Sequence, residues 1–482
     1  MDSEKLFQIK ITRKGIIYIL IFIVLLISAI YLIFLYYEDE AIYSKFQPAP
    51  DVKSSDRILI FAPHPDDESL GTGGIIARAI EKNATVKVVM VTDGSKSHTH
   101  TVFKQFQTKT NLTENVSLPE LRHNETLTAI KNLGLNESNI IFLGYPDGGL
   151  RKMLNDHWDY GNPYKSDTDY NQYDHVPYSF AYEKNAPYTG ASVVKNMESI
   201  IQEFKPNIIF YPDDGDDHPD HWAVSFFAQY AIMETNYTGS EYTYLVHKGF
   251  HWPKPEYYLP HEWLIPPREL FDLDANWTYF SITENEENKK RDAVNSHKSQ
   301  IHLTRDYLQS FVRVNDLLAI YPYITVAKDN GNLSKGIMPS SSYKDERVDY
   351  KTRIFSSVED LTSAGISYDD QYVYLVVETG TDIPDDVIHN LHLRWFNGQT
   401  VKRIDIKVKD GVAQYESKAN NSIVPSDPPL VEEKENMILV KLPKSIFTGT
   451  QEALMSIDVA TKDNDAIDIM AWRGFDFPAS AF

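Results

Sequence analysis

Residues 15–37, "GIIYILIFIVLLISAIYLIFLYY", are apolar and uncharged throughout. A run of that length predicts one helix able to cross a bilayer, and it is too long and too aromatic at its end for a cleaved signal. From Arg57 the pattern becomes one of short apolar runs alternating with segments of helical periodicity. The runs "RILIFA" (57–62), "TVKVVMVT" (85–92), "NIIFLG" (139–144) and "NIIFY" (207–211) read as strands. Helices are predicted near 68–82, 119–134 and 192–204, with a further helical stretch over roughly 285–318. Strands alternating with helices predict an α/β unit with a doubly wound, Rossmann-like, mostly parallel sheet. Two long insertions interrupt it, near 98–118 and 151–190, the second dense in tyrosine and equally a candidate lid or sugar-stacking surface and a loop that simply packs on the surface. Past residue 340 the pattern turns to short strands, among them 372–378, 390–396, 401–408, 437–442 and 467–472, with Asn397-Gly398 as a hairpin signal. These predict a β-sandwich. The chain thus divides into a tail (1–14), an anchor (15–37), a linker (38–56), a catalytic α/β domain (57–325) and a β-sandwich domain (340–482), a candidate carbohydrate-binding unit.

Charge changes this picture in two ways. Lys5, Lys10, Arg13 and Lys14 precede the apolar run while Glu38, Asp39 and Glu40 follow it, so the positive-inside bias places the amino terminus in the cytoplasm and the rest outside. The formal net charge of −21 argues against nucleic acid as a partner. Nine N-x-S/T sequons, at Asn83, Asn111, Asn115, Asn124, Asn136, Asn236, Asn276, Asn332 and Asn420, are compatible with an exported chain. The absence of cysteine leaves only nitrogen and oxygen ligands for any metal.

Each α/β strand runs into a polar cluster: "PHPDDE", "DGSKSH", "YPDGG" and "PDDGDDHPDH". In open α/β sheets the ligand crevice lies beyond the carboxyl ends of the strands, so these clusters converge on one edge. In "HPDDE", His64 and Asp67 are three apart, Pro65 suits the first position of a helix, and Asp66 and Asp67 fall in its first turn. In "HPDH", His218 and His221 repeat the spacing around Pro219. Two histidines and a carboxylate, with one position open, make a catalytic zinc site, and His64, Asp67 and His221 can supply it. Asp66 is then a base for water and His218 a cationic donor to a developing oxyanion. The same ligand set could hold Fe(II).

These motifs resemble the PIG-L/LmbE-like N-acetylglucosamine deacetylases over roughly 57–320. Pro63-His64-Pro65-Asp66-Asp67-Glu68 and His218-Pro219-Asp220-His221 stand at the family's two signatures, supported by "RHNETLTAIKNLG" with Arg122 and Glu125, "FLGYPDGGL" with Asp147, and "SHKSQ". The resemblance implies zinc-dependent removal of the acetyl group of a 2-acetamido sugar. His64, Asp67 and His221 would be the ligands, Asp66 the general base and His218 the acid. Arg122 and Asp147 match positions that hydrogen-bond sugar hydroxyls. Ser95 stands where an acidic residue is frequent, and Asp216 where some members carry tyrosine. The leading expectation is a membrane-anchored, outward-facing zinc deacetylase of an N-acetylated glycan or glycoconjugate. The alternatives are a non-catalytic glycan-binding surface protein and a cytoplasm-facing deacetylase of a lipid-linked sugar.

Overall fold

The computed structural model describes residues 12–43, 46–97, 100–110, 117–249, 252–253, 262–267, 270–271, 275–345, 360–383, 387–417, 419–462 and 466–482. Sequons Asn111 and Asn115 and the basic residues Lys5 and Lys10 lie outside them. The chain forms two compact units, residues 1–47 and 48–482. In the first, helix α1 (Arg13–Tyr43) contains a stretch, Arg13–Ile33, of mean hydropathy 3.1 with none of it buried. It is long and apolar enough to cross a membrane.

The second unit is built on a sheet with strands β1 (Arg57–Ala62), β2 (Thr85–Thr92), β3 (Ile140–Tyr145), β4 (Ile208–Pro212), β5 (Ser240–Tyr244), β6 (Asn276–Ser281) and β7 (Asn315–Ile320). Their spatial order is β6-β7-β5-β4-β1-β2-β3. Strands β5, β4, β1, β2 and β3 run parallel, and β7 pairs antiparallel with both β5 and β6. Helices α2 (Asp67–Glu81), α3 (His100–Thr110), α4 (Leu118–Asn132), α5 (Leu150–Asn155), α6 (Gly190–Phe204), α7 (Pro219–Glu234), α8 (Glu284–Val294) and α9 (Lys298–Gln309) complete the layers. Strands β1 and β2 are buried along nearly their whole length, which is why they read as continuous apolar runs.

Three features depart from the pattern reading. The helical stretch extended to 318 ends at Gln309, and 315–320 is strand β7, because "LLA" inserts between β5 and β6. The tyrosine-rich insertion is largely a packing element: Trp158, Tyr164, Val176 and Tyr188 are buried in the same apolar cluster as β1 and β4, leaving Tyr160, Tyr173 and Tyr182 exposed. The third is the carboxyl-terminal region, which already begins before residue 340.

That region forms two further sheets. One orders Ala327–Lys328, Leu361–Tyr368, Tyr372–Thr379, Met437–Pro443 and Leu430–Lys434; the other orders Val412–Glu416, Val401–Lys409, Val387–Phe396, Glu452–Thr461, Arg473–Asp476 and Ile324–Thr325. Asn397-Gly398 turns Val387–Phe396 into Val401–Lys409, with Gly398 at φ 83°. A single apolar cluster draws on both sheets, including Ile366, Leu375, Leu393, Ile404 and Ile457. A second cluster joins these sheets to the α/β core, for Phe396, Val401, Leu454, Ile469 and Trp472 are buried with Leu59, Phe226 and Phe227.

Candidate active site

Strand β1 ends at Ala62, and the chain reaches α2 through Pro63-His64-Pro65-Asp66. The helix begins at Asp67 and not at Pro65. Asp66 precedes it with φ 143°, a conformation costly for any residue with a Cβ, while its amide donates to Glu68 Oε2 at 3.1 Å. The kink separates the two aspartates. Asp67 folds back to accept from the His64 amide at 2.8 Å, and Asp66 lies 3.4 Å from Arg122 Nη2.

From the other half of the sheet, β4 runs into a loop that ends on α7. His218 caps this helix, with Pro219 in its first turn, and its Nδ1 accepts the Asp220 amide at 3.2 Å. An acceptor nitrogen carries no proton, so the neutral ring holds its hydrogen on Nε2. Burial first, then the imidazoles of His64, His221 and His247, push the His218 pKa down to about 2. Burial and the neighbouring imidazoles thus favour the neutral ring at the position read from the sequence as a cationic donor.

The donor atoms of three side chains meet. Asp67 Oδ2 is 3.2 Å from His64 Nδ1 and 3.0 Å from His221 Nε2, and those two nitrogens are 3.3 Å apart. A tetrahedral zinc bound at about 2.1 Å holds its donors about 3.4 Å apart, so the triangle has the size such an ion needs. His64, Asp67 and His221 are all buried, and the remote nitrogen of each imidazole is held by a carboxylate. His221 Nδ1 is 3.0 Å from Asp216, while His64 Nε2 is 3.2 Å from Asp220 and 3.4 Å from Asp147. Such outer carboxylates fix the tautomer and aim of ligating imidazoles. Three other groupings at this site, His64 with His218 and His221, Asp67 with His221 and His247, and His64 with Asp147 and Asp220, also bring their ligand atoms within 4.8 Å of one another.

Electrostatics divides the two adjacent aspartates. Burial would raise both, but contact with His221 and His64 holds Asp67 well below the usual carboxylate range. Asp66 is raised to about 7, chiefly by burial and against the pull of Arg122. Arg122 is itself buried, donating to Pro65 O at 2.6 Å and Gly94 O at 3.1 Å. Asp147 accepts the Lys96 amide at 2.9 Å. Gly148, at φ 74°, donates to Asp220 at 2.6 Å, and a Cβ there would lie 2.4 Å from the Lys96 side chain. Glu125 is used structurally, binding both the amide and the hydroxyl of Ser299.

Residues that motif reading passed over complete the wall. His247 follows β5 and lies 4.7 Å from His221 and 5.1 Å from His218, ring centre to ring centre. Tyr307 holds that segment, donating to Val246 O at 2.6 Å with its oxygen 3.2 Å from His247 Nδ1. His297, from the "SHKSQ" segment, reaches Glu68 at 3.1 Å. A histidine after a strand of no special pattern carries no signal of its own; only the sheet order places it here.

The family model described as "PIG-L: GlcNAc-PI de-N-acetylase" matches residues 59–232, which contain His64, Asp66, Asp67, Arg122, Asp147, His218 and His221 but not the "SHKSQ" segment. This region belongs to the PIG-L family. Similar proteins include a 1D-myo-inositol 2-acetamido-2-deoxy-alpha-D-glucopyranoside deacetylase of Mycobacterium leprae, 25% identical over 51% of this chain and 80% of its own length. A second deacetylase of that description, from Saccharopolyspora erythraea, is 26% identical over 57% of this chain and 94% of its own length. Among solved structures, the A40926 pseudoaglycone deacetylase aligns with a TM-score of 0.36 and 17% identity, over 55% of this chain and 96% of that one. Within the PIG-L region, both signature segments sit at the carboxyl ends of the central strands β1 and β4, beside each other in the sheet.

Proposed function

We propose that the chain is a zinc-dependent hydrolase that removes the N-acetyl group from an N-acetylglucosamine unit of a glycan or glycoconjugate, anchored in a membrane by α1 and acting outside it. The observation that carries this reading is the 3.0–3.3 Å triangle of His64, Asp67 and His221, with a second carboxylate at its rim. His64, Asp67 and His221 would hold the ion, which when bound would polarise the acetamide carbonyl and a water. Asp66, poised near neutrality, takes the proton of the attacking water as a general base. His218 acts as the acid by presenting Nε2–H to the developing oxyanion. The carbon–nitrogen bond breaks, acetate leaves, and the proton held by Asp66 passes to the amine. Arg122 braces Asp66, and with Asp147 is the proposed contact to sugar hydroxyls.

The closing helices and the segment around His247 shape the sugar subsite, and the two carboxyl-terminal sheets form a β-sandwich. The similarity to deacetylases of an inositol 2-acetamido-2-deoxy-glucopyranoside supports a small glycoconjugate as much as a polymer. The test is acetate release from a panel of N-acetylglucosamine oligomers, N-acetylglucosaminyl glycolipids and N-acetylglucosaminyl inositol or malate conjugates, run with wild type and Asp66→Asn. Release by the wild type alone supports the reading and names the substrate class; no release by zinc-loaded, folded protein would overturn it.

A further inference from the structure

The acidic run after β4, Asp213-Asp214-Gly215-Asp216-Asp217, is more than the metal requires, and each of its carboxylates is pinned by a different neighbour. Asp213 accepts from Thr243 at 2.6 Å and from Tyr321 at 2.9 Å. Asp216 accepts the amides of Val246 and His247 at 3.1 and 2.9 Å. Asp217 binds Lys248 and the Gly249 amide at 3.0 and 2.8 Å. Asp214 is the exception in its partner, for it pairs with Arg473, which lies in the carboxyl-terminal sheets more than 250 residues away.

That pair is fully interior, Asp214 being 3% and Arg473 2% exposed. Asp214 Oδ1 also accepts from Ser225 Oγ and from Gln229 Nε2, the latter at 2.9 Å, and both belong to α7. The Arg473 guanidinium lies 3.9 Å over the Tyr321 ring, whose hydroxyl binds Asp213. Next to it, Trp472 packs 4.3 Å from Phe226 and 6.3 Å from Trp222, again on α7. Helix α7 carries His218, Asp220 and His221 at its first turn, so whatever fixes the helix and its entry loop fixes those imidazoles.

We infer that Arg473 is a positioning residue of the metal site: by holding Asp214 it sets the loop and helix that present His221 and His218, making the carboxyl-terminal sheets part of the catalytic scaffold. The inference rests on the proposed metal-dependent reading, but its test separates from it. A buried, charge-assisted hydrogen-bonded pair adds a directional constraint to the packing around it. Loss of a group hydrogen-bonded directly to a metal ligand typically costs about 10–100-fold in metal affinity; Arg473 stands further out, acting through Asp214, so the low end of that range is expected.

The experiment uses the full chain with Arg473→Met, Arg473→Lys and the double variant Arg473→Met with Asp214→Asn, which leaves no unpaired buried charge. Zinc affinity is read by chelator competition, independently of turnover, alongside kcat, KM and the melting temperature. Expected are about 10-fold weaker zinc binding and lower kcat at unchanged KM in Arg473→Met. Arg473→Lys should recover part of both. The double variant should regain thermal stability without regaining zinc affinity. Wild-type zinc affinity and kcat in the folded double variant would overturn the inference and leave Arg473 a purely structural ion pair. Should wild type release no acetate from any substrate, the functional reading fails, while the zinc-affinity ratio still decides the role of Arg473.

Discussion

Asp66 occupies a backbone conformation that almost any other position in the chain would avoid, at φ 143°. Strain of this kind costs about 1–3 kcal/mol and persists where surrounding structure enforces it. Here the enforcement is visible: Arg122 on one side, the Glu68 carboxylate on the other, and Pro65 held through its carbonyl. The reward is that two consecutive aspartates point in different directions and titrate differently. Asp66→Asn is therefore expected to keep zinc while losing about 10²–10⁴ in turnover, because the amide preserves shape but accepts no proton. His221→Ala should instead abolish zinc loading; metal analysis of both purified variants distinguishes ligand from base. The His64, Asp67, His218 and His221 constellation was legible because each pair lies three residues apart around a proline that follows a strand, Pro219 being the first residue of its helix. Asp216, Asp220 and His247 were not legible in the same way. The two aspartates sit in a run where five carboxylates look alike, and His247 is placed by strand pairing across the sheet.

Among the elements, β1 through β4 and their crossover helices could be read because parallel strands buried on both faces leave unbroken apolar runs. Strand β5, "SEYTY", and β6, "NWTYFS", lack such runs, and β7 borrows the apolar residues of a sequence that also fits a helix. Strand β5 also carries a titration signal. Burial, with Glu452 nearby, raises the Glu241 pKa to about 7, against an ordinary value near 4.5. A carboxyl raised on folding leaves stability intact below its unfolded value and removes it as pH climbs through the folded value. Stability should thus decline between about pH 4.5 and pH 7 on account of this group. Glu241→Gln is expected to melt at a higher temperature than wild type at pH 8, with the difference shrinking at pH 5; equal differences at both would assign the effect to packing.

At the scale of the whole molecule, the pattern reading separated a catalytic domain from a β-sandwich because it sees periodicity and not contacts. Hydrophobic residues of the outer strands, with Trp472 foremost, complete the cluster that buries α7. Arg403 lies 5.2 Å over the Trp158 ring, the Val401 amide donates to Glu234 at 2.9 Å, and the Asn420 amide to Asp159 at 3.0 Å, so the seam is also specified by polar contacts. Trp472→Ala should lower one shared unfolding transition by about 3–5 kcal/mol. Circular dichroism and tryptophan fluorescence would then still report the same midpoint; a split into two midpoints would show that the halves unfold separately. The shared cluster also has a meaning in time. During synthesis the residues proposed to hold the metal emerge first, yet the side chains that close the face of α7 are made some 250 residues after it. The nascent enzyme thus waits on its later strands, and a chain cut short before them is left with an open apolar face for quality control to find, instead of a working catalyst.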